Sequence, residues 1–214
     1  MIKVDPRNPQ RGAIAQAAEV LKKGGLVAFP TETVYGLGAD VFNLEAINRL
    51  FQAKGRLFTN PLPIQIAEIN QLETLVPSIP QKARELIQRF WPGPLTLVFP
   101  RSERVSPLVT AGKNTVGIRI PRNEVALALL RAFGGPLAVP SANPSASGSR
   151  SNTTGEQVVQ DFKGKIDLIL DAGSTEIGME STVLDISTQP PAILRLGAIT
   201  AEQLKEVLGE VILT

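Results

Sequence analysis

The segment that most constrains the fold is an apolar run at residues 26–29, which leads directly into the polar stretch 30–38 (PTETVYGLG). A short apolar run bounded by turn-forming residues predicts a buried strand. In α/β proteins, polar groups at the carboxyl end of such a strand lie where ligands bind. The stretch offers Thr31 and Thr33 hydroxyls, the Glu32 carboxylate and the only tyrosine, and its glycines permit a sharp turn or close approach to a ligand. The alternative is an ordinary capped loop before the next helix.

Apolar strands and amphipathic helices alternate along the whole chain, without an internal repeat or an obvious linker. Residues 116–120 alternate cleanly, which places Arg119 on the sheet face opposite Val116 and Ile118. The proline in the strand predicted at residues 62–66 favours an edge position or the first turn of that strand. We therefore expect a single α/β domain over residues 1–214, with a long loop at residues 140–152.

The absence of cysteine and histidine excludes several classes of chemistry. Disulfides, cysteine nucleophiles, Cys/His zinc sites and histidine-dependent triads are all ruled out. An enzyme of this composition has to use carboxylates, hydroxyls, Lys or Arg, backbone amides or an oxygen-bound ion such as Mg²⁺. The net charge of +2 does not require a nucleic-acid partner, although it permits a local basic patch. No long apolar run or signal segment is present, so we expect a cytoplasmic protein that does not enter a membrane.

Four basic residues stand where exposure to solvent is not the obvious explanation. Lys54 and Arg56 flank a glycine at the end of a predicted helix, and Arg119 and Arg195 lie within apolar strands. A charge on a covered sheet face needs a partner, and an anionic ligand is one candidate. Favourable placement at a helix C-terminus for Lys54, and salt bridges or exposed faces for the two strand arginines, are the alternatives.

Hydroxyl and amide side chains lie next to two further predicted strands: Ser141 and Asn143 follow one, and Ser181 precedes another. Each is an ordinary turn residue when taken alone. Together with the four basic residues they outline a cavity suited to a phosphate-bearing ligand and a small polar one. The Walker, G-x-G-x-x-G and G-x-S-x-G patterns are absent. The residues alone therefore indicate an α/β protein with an anion-binding cavity that suits a nucleotide.

Seven motifs that occur in one order give a more specific indication. They are residues 30–38 (PTETVYGLG), 54–56 (KGR) with 60–62 (NPL), 92–96 (PGPLT), 119–121 (RIP), 140–143 (PSAN), 180–183 (ESTV) and 194–199 (LRLGAI). In this order the chain resembles the YrdC-type threonylcarbamoyl-AMP synthases over nearly its whole length. The resemblance implies an open, twisted, mixed β-sheet flanked by helices, with a concave basic ligand surface. It also implies the single-domain form, because the sequence ends before the extra C-terminal domain of the larger members.

The resemblance implies a nucleotidyltransferase that makes threonylcarbamoyl-AMP and pyrophosphate from L-threonine, bicarbonate and ATP. A threonylcarbamoyl transferase complex then modifies the adenosine beside the anticodon of tRNA, and Mg²⁺ is expected to arrive with ATP. One alternative is a YrdC-like module that binds RNA or a nucleotide without turnover; RNA affinity that falls steeply with salt would identify RNA binding. The other is a domain acting on a different carbamoyl adenylate, as in hydrogenase-maturation carbamoyltransferases, whose acylphosphatase-like and zinc-finger regions this sequence lacks.

The resemblance also implies roles for individual residues. The L-threonine site comprises Thr33, Gln65, Arg119 and Ser181, with Arg119 on the carboxylate. The ATP site comprises Lys54, Arg56, Asn60, Ser141, Asn143 and Arg195. No residue is assigned as catalytic or as a metal ligand, because positioning and charge stabilisation would do most of the work. This sequence departs from the family in three places. Gln65 stands where a histidine is usual, so it can hydrogen-bond but not titrate, Leu57 replaces a common proline, and the loop after Asn143 is longer.

Overall fold

A computed structural model describes residues 1–145 and 151–214 of the chain. Within these residues, eleven strands form one mixed sheet. The strands are β1 (Ile2–Lys3), β2 (Val27–Pro30), β3 (Tyr35–Asp40), β4 (Ile64–Gln65), β5 (Leu95–Pro100), β6 (Thr115–Arg119), β7 (Leu137–Ala138), β8 (Leu168–Asp171), β9 (Thr182–Asp185), β10 (Ala192–Arg195) and β11 (Ile212–Leu213). Their order in the sheet is β1-β8-β2-β3-β7-β4-β6-β5-β9-β10-β11.

Helices cover both faces of this sheet. They are α1 (Arg11–Lys22), α2 (Leu44–Lys54), α3 (Gln81–Phe90), α4 (Pro107–Thr110), α5 (Glu124–Phe133), α6 (Gly155–Phe162) and α7 (Ala201–Leu208), with a 3₁₀ turn at Ile69–Thr74. One apolar cluster joins α1 and α5 to β2, β7 and β8, and a second joins α2, α3, α6 and α7 to the rest of the sheet. Strands covered on both faces read as nearly continuous apolar runs, as residues 26–29 do. The predicted α/β fold with an open mixed sheet is confirmed.

Local signals placed several helix ends correctly. Asn43 caps α2, since its side chain accepts hydrogen bonds from the backbone N–H groups of Glu45 and Ala46, each at 3.1 Å. Gly55 ends the same helix with a φ of 59°, a left-handed conformation that glycine adopts easily. The pair Asn8-Pro9 is typical of a helix start and predicts a cap of α1 at Asn8. This prediction is wrong, because Gln10 occupies the cap position without a side-chain cap bond. None of the helices described by the structure is long and apolar enough to span a membrane.

Two expectations about strands are wrong, for reasons that lie outside the local sequence. Residues 35–40 do not continue the polar loop but return as β3, which pairs antiparallel with β2. A Cβ added at Gly36 would lie 2.5 Å from Cγ1 of Val139, so this glycine permits close packing against a neighbouring side chain. For the strand with Pro63, the edge position is wrong, because β4 lies between β7 and β6. The alternative position at the start of the strand is correct, because Pro63 directly precedes β4. The sequence also did not predict β1, β11 or α4, which have at most four residues each.

Candidate ligand-binding site

A cavity on the sheet brings together most of the residues expected to bind a ligand. Strands β4, β6 and β5 place Gln65, Arg119 and Thr96 side by side, and the loops after β2 and β7 add Thr33 and Ser141. The segment before β9 and the end of β10 complete the wall with Glu180, Ser181 and Arg195, and Arg56 lies at its rim. Because β2 and β6 run in opposite directions, the cavity crosses the sheet and is not confined to a single carboxyl edge.

Arg119 is the most deeply buried charge of the cavity, with 4% of its surface exposed. Its Nη1 donates a hydrogen bond to Oγ1 of Thr33 at 3.1 Å, and its Nη2 lies 3.5 Å from Oε2 of Glu32. Burial lowers the pKa of the guanidinium, and the Glu32 carboxylate opposes this shift. Glu32 is itself buried, and neither of its oxygens accepts a hydrogen bond within the described residues. Arg119 therefore forms a salt bridge with a structural carboxylate, the alternative to ligand binding considered from the sequence. The Arg119 side chain nevertheless lines the cavity.

The loop after β2 is held by its own hydroxyls. Oγ1 of Thr31 lies 2.8 Å from Oγ1 of Thr33 and donates to the backbone oxygen of Val34 at 2.7 Å. The backbone N–H of Thr33 in turn donates to Oγ1 of Thr31 at 3.2 Å. Such local side-chain bonds fix a turn that has no strand partner. As a result, the Thr33 hydroxyl is oriented towards Arg119 before any ligand binds.

Gln65 presents a buried acceptor to the same cavity. The residue is 6% exposed, and its backbone is fixed by pairing with Arg119 on one side and Leu137 on the other. Its Oε1 receives no hydrogen bond from any described residue. A buried acceptor without a donor is costly, typically by about 1–3 kcal/mol. The Gln65 oxygen therefore marks a position where a ligand N–H or O–H group would bind favourably.

The far wall of the cavity is a network built on Ser181. Its Oγ lies 2.9 Å from Oγ1 of Thr96. Arg195 donates from Nε and Nη2 to the Ser181 backbone oxygen, at 3.2 and 2.9 Å, and from Nη2 to the Ser181 hydroxyl at 3.3 Å. Arg195 also forms an ion pair with Glu180. Like Arg119, it therefore both forms a salt bridge and lines the cavity.

Glu180 is the acidic residue of this wall. One carboxylate oxygen pairs with Arg195, and the other accepts a hydrogen bond from the Ser151 hydroxyl at 2.7 Å. The Ser141 hydroxyl also favours the charged form of this carboxylate. Burial raises the pKa of Glu180, but Arg195 and the two hydroxyls more than offset this effect, so its pKa lies below the usual range. The carboxylate is therefore charged near neutral pH.

Lys54 does not line the cavity but lies behind it. The side chain is almost completely buried, and its Nζ donates to the backbone oxygens of Ser141 and Asn143. Burial, together with repulsion from Arg56, lowers the pKa of the Lys54 ammonium to about 7. Lys54 thus ties the end of α2 to the loop that follows β7, and its contact with a ligand remains a prediction.

Asn60 and Asn143 also lie outside the cavity wall, although they were expected at the ATP site. Asn60 is exposed, and its backbone oxygen accepts a hydrogen bond from Nε of Arg56 at 3.1 Å. Arg56 donates a second bond, from Nη2 to the Pro61 oxygen at 2.8 Å. The loop at residues 144–152, noted as unusually long, lies partly outside the described residues.

Sequence reasoning assigned neither Thr96 nor Glu180 to the site and gave the Glu32 carboxylate no partner, although all three residues fall within recognised motifs. Glu32 pairs with Arg119, Thr96 bonds to Ser181, and Glu180 pairs with Arg195. Only the pairing of β5 with β6 reveals that Thr96 lies opposite Arg119 on the sheet. In contrast, Tyr35 was expected to present a polar tip, but its hydroxyl donates into the interior, to the backbone oxygen of Gly173 at 2.8 Å.

The fold and the cavity together define an α/β protein whose mixed sheet carries a cavity lined by three arginines. The family model Sua5_yciO_yrdC, described as telomere recombination, matches residues 19–197. The chain belongs to this Sua5/YciO/YrdC family.

Individual relatives agree with this assignment. The threonylcarbamoyl-AMP synthase of Pyrococcus abyssi is 50% identical over 195 residues, which cover 91% of this chain and 57% of that protein. The Bacillus subtilis protein of the same name is 51% identical over 199 residues, covering 92% of this chain and 57% of the relative. The crystal structure of P. abyssi Sua5 in complex with L-threonine superimposes with a TM-score of 0.95 at 46% identity, covering 100% of this chain and 63% of that one. The chain therefore spans less than two thirds of the length of these relatives.

Proposed function

We propose that this chain carries the synthase centre of a threonylcarbamoyl-AMP synthase, which makes threonylcarbamoyl-AMP and pyrophosphate from L-threonine, bicarbonate and ATP. The observation that carries the proposal is the placement of three arginines around one cavity, with buried Arg119 on the sheet and Arg56 and Arg195 nearer the rim. One cationic position suits a small carboxylate, and two suit phosphates. The names of the relatives support the same reaction.

Arg119 is the proposed anchor for the carboxylate of L-threonine. Its planar guanidinium can hold a carboxylate through two parallel hydrogen bonds, and the ion pair with Glu32 fixes its position. Thr33 and Ser181 supply hydroxyls on opposite sides of this anchor, and the Gln65 oxygen offers an acceptor for the amine or the hydroxyl of the substrate. The complex of the P. abyssi relative with L-threonine supports an amino-acid site in this fold.

Arg56 and Arg195 are the proposed contacts for the ATP phosphates. Arg56 has no carboxylate within 4.0 Å among the residues that the structure describes, so its charge is available to an anion. Arg195 and Ser141 line the same cavity. We propose that Lys54 contributes by fixing the loop of Ser141 and Asn143, and that Asn60 does so through the backbone contact that orients Arg56.

The proposed chemistry requires no protein nucleophile. The threonine amine attacks bicarbonate, with loss of water, or CO₂, with loss of a proton, and gives a carbamate. A carbamate oxygen then attacks the α-phosphorus of ATP, the bond to the β-phosphate oxygen breaks, and pyrophosphate leaves. The protein's part is to hold the reacting groups together and to stabilise charge that develops on the phosphates. This role fits a chain without cysteine or histidine.

Mg²⁺ fits this proposal as an ion bound mainly by the phosphates. Across residues 1–145 and 151–214, no group of three or more Asp, Glu, His or Cys side chains could hold a metal ion. Mg²⁺ keeps several waters and is commonly bound through substrate phosphates together with one or two carboxylates. When bound, it would neutralise charge on the phosphates, while the arginines orient them.

The product, a reactive mixed anhydride, has to be passed to an acceptor. We propose that a threonylcarbamoyl transferase complex uses it to modify tRNA beside the anticodon, which would place the reaction in the cytoplasm. Direct RNA binding has weaker support, because the net charge is only +2.

The experiment that tests the proposal is pyrophosphate release from ATP by the purified chain, measured with threonine or bicarbonate omitted in turn. We expect release only when both are present, and a much lower rate when serine replaces threonine. Release that is independent of threonine would contradict the proposal. ATP binding without release under any condition would favour a nucleotide-binding module.

A further inference from the structure

Glu180 is the only carboxylate that the described residues contribute to the cavity lining. It lies in a wall that otherwise presents cations and hydroxyls, so its position requires an explanation. Its partners are the Arg195 guanidinium and the hydroxyls of Ser151 and Ser141. A guanidinium and two hydroxyls are also the groups that commonly bind a phosphate.

The three cavity arginines differ in how they are satisfied. Arg119 is paired with Glu32, which is buried and does not line the cavity, so this pair is part of the interior. Arg56 is bound only to backbone oxygens among the described residues. Arg195 alone is paired with a carboxylate of the cavity wall. The pair is partly open to solvent, with side-chain exposures of 45% for Arg195 and 30% for Glu180, so separating it requires little rearrangement of the core.

We propose that the Glu180 carboxylate is an internal anion that occupies the phosphate donors of the cavity and is displaced by an incoming phosphate. In the ligand-free protein it holds Arg195 and the two serine hydroxyls in place. A phosphate group takes over these donors on binding, and Glu180 returns to them when the phosphate leaves. Glu180 therefore weakens phosphate affinity and favours release of pyrophosphate. The proposal rests on the proposed function only in naming ATP and pyrophosphate as the source of the phosphate.

Electrostatics supports this exchange. Arg195 and the hydroxyls keep the pKa of Glu180 below its usual range, so the carboxylate is charged at the pH at which ATP is bound. A phosphate that enters without displacing Glu180 would lie close to a like charge, which is unfavourable in a partly buried site. Moving the carboxylate into solvent removes that repulsion and frees Nη1 of Arg195, the nitrogen that donates to Glu180.

The test is the affinity of inorganic pyrophosphate for the wild-type chain and for Glu180→Gln, measured by titration calorimetry without threonine. Glutamine keeps the size of the side chain but removes the charge, so we expect roughly fivefold tighter binding, the upper end for a partly exposed ion pair. The matched control is Glu206→Gln, which breaks an exposed ion pair with Arg89 away from the cavity and changes the net charge equally. We expect unchanged pyrophosphate affinity in the control.

Unchanged or weaker binding by Glu180→Gln would overturn the proposal, and so would an equal gain in Glu206→Gln. If Glu180→Gln loses its native circular dichroism, Glu180→Ala is judged by the same criterion. Turnover provides a second readout: the KM for ATP should fall in Glu180→Gln without a rise in kcat, whereas a general loss of structure would not tighten ATP binding. Pyrophosphate binding without threonine-dependent turnover in the wild type would contradict the proposed function. The role of Glu180 would still be decided by the pyrophosphate affinities of the wild type and Glu180→Gln.

Discussion

Replacing Lys54 with methionine should change how the free energy of unfolding depends on pH. Burial and the nearby Arg56 lower the pKa of the Lys54 ammonium to about 7, whereas a lysine in the unfolded chain titrates near 10.5. Below pH 7 the side chain is charged in both states, and the cost of burying that charge is fully present. Above pH 7 the unfolded chain binds a proton that the folded chain has lost, so the stability of the wild type rises with pH relative to the variant.

The magnitude of this effect follows from the two pKa values. Each pH unit within the window adds up to about 1.4 kcal/mol to the unfolding free energy of the wild type. The unfolding free energy of the wild type minus that of Lys54→Met should therefore rise by about 2 kcal/mol from pH 7 to pH 9. The direction holds for any lowered pKa of Lys54. Hydrogen bonds from the charged amine to the backbone oxygens of Ser141 and Asn143 favour the charged form and reduce the size of the change.

Urea unfolding of both proteins at several pH values between about 6 and 9 measures this difference directly. Lys163→Met is the control, because Lys163 is exposed and its surroundings change little on unfolding. The control difference should stay constant over the same range. If the stability of the wild type relative to Lys54→Met does not rise above pH 7, the argument that burial destabilises the charged form of Lys54 is refuted.

Three further predictions concern the cavity and the packing beside it. Arg56→Ala should lower ATP-dependent pyrophosphate release by roughly a hundredfold while circular dichroism stays native, since a charge-assisted contact is worth about 1.5–3 kcal/mol; normal turnover would exclude Arg56 from the ATP site. Gln65→His should leave threonine affinity unchanged or tighten it, and a large loss in calorimetry would show that the pocket is built differently. Gly36→Ala should destabilise the protein by about 1–3 kcal/mol in urea unfolding, because the added Cβ would lie 2.5 Å from a valine methyl. Gly12→Ala, in the first helix with nothing within 4 Å, should be neutral or stabilising, and equal effects at the two glycines would contradict the packing argument.

The fold was predictable where the signal is local. Residues 26–29 are apolar because β2 is covered on both faces, and Asn43 caps α2 through bonds to residues two and three positions away. The return of residues 35–40 as β3 was not predictable in this way. It depends on Gly36 fitting closely against Val139, which belongs to a distant part of the sequence. The central position of β4 likewise follows from pairing with β6 and β7.

The site shows the same division. The resemblance selected Arg119, Gln65 and Ser181, and the structure brings them to one cavity. It could not indicate that Glu32 and Glu180 provide the countercharges, because these pairs depend on how the loop after β2 meets β6 and on how the segment before β9 meets the end of β10. The resemblance also did not distinguish residues that line the cavity from residues that hold its loops in place. Lys54 is of the second kind, because its ammonium binds backbone oxygens of the loop after β7.

The most direct test of the central claim is the identity of the product formed by the purified chain. The chain would be incubated with ATP, L-threonine and isotope-labelled bicarbonate, and the nucleotides separated and analysed by mass spectrometry. The account predicts a threonylcarbamoyl adenylate that carries the label of bicarbonate, together with pyrophosphate. Unmodified ATP, or an adenylate that lacks either the threonine or the label, would contradict it.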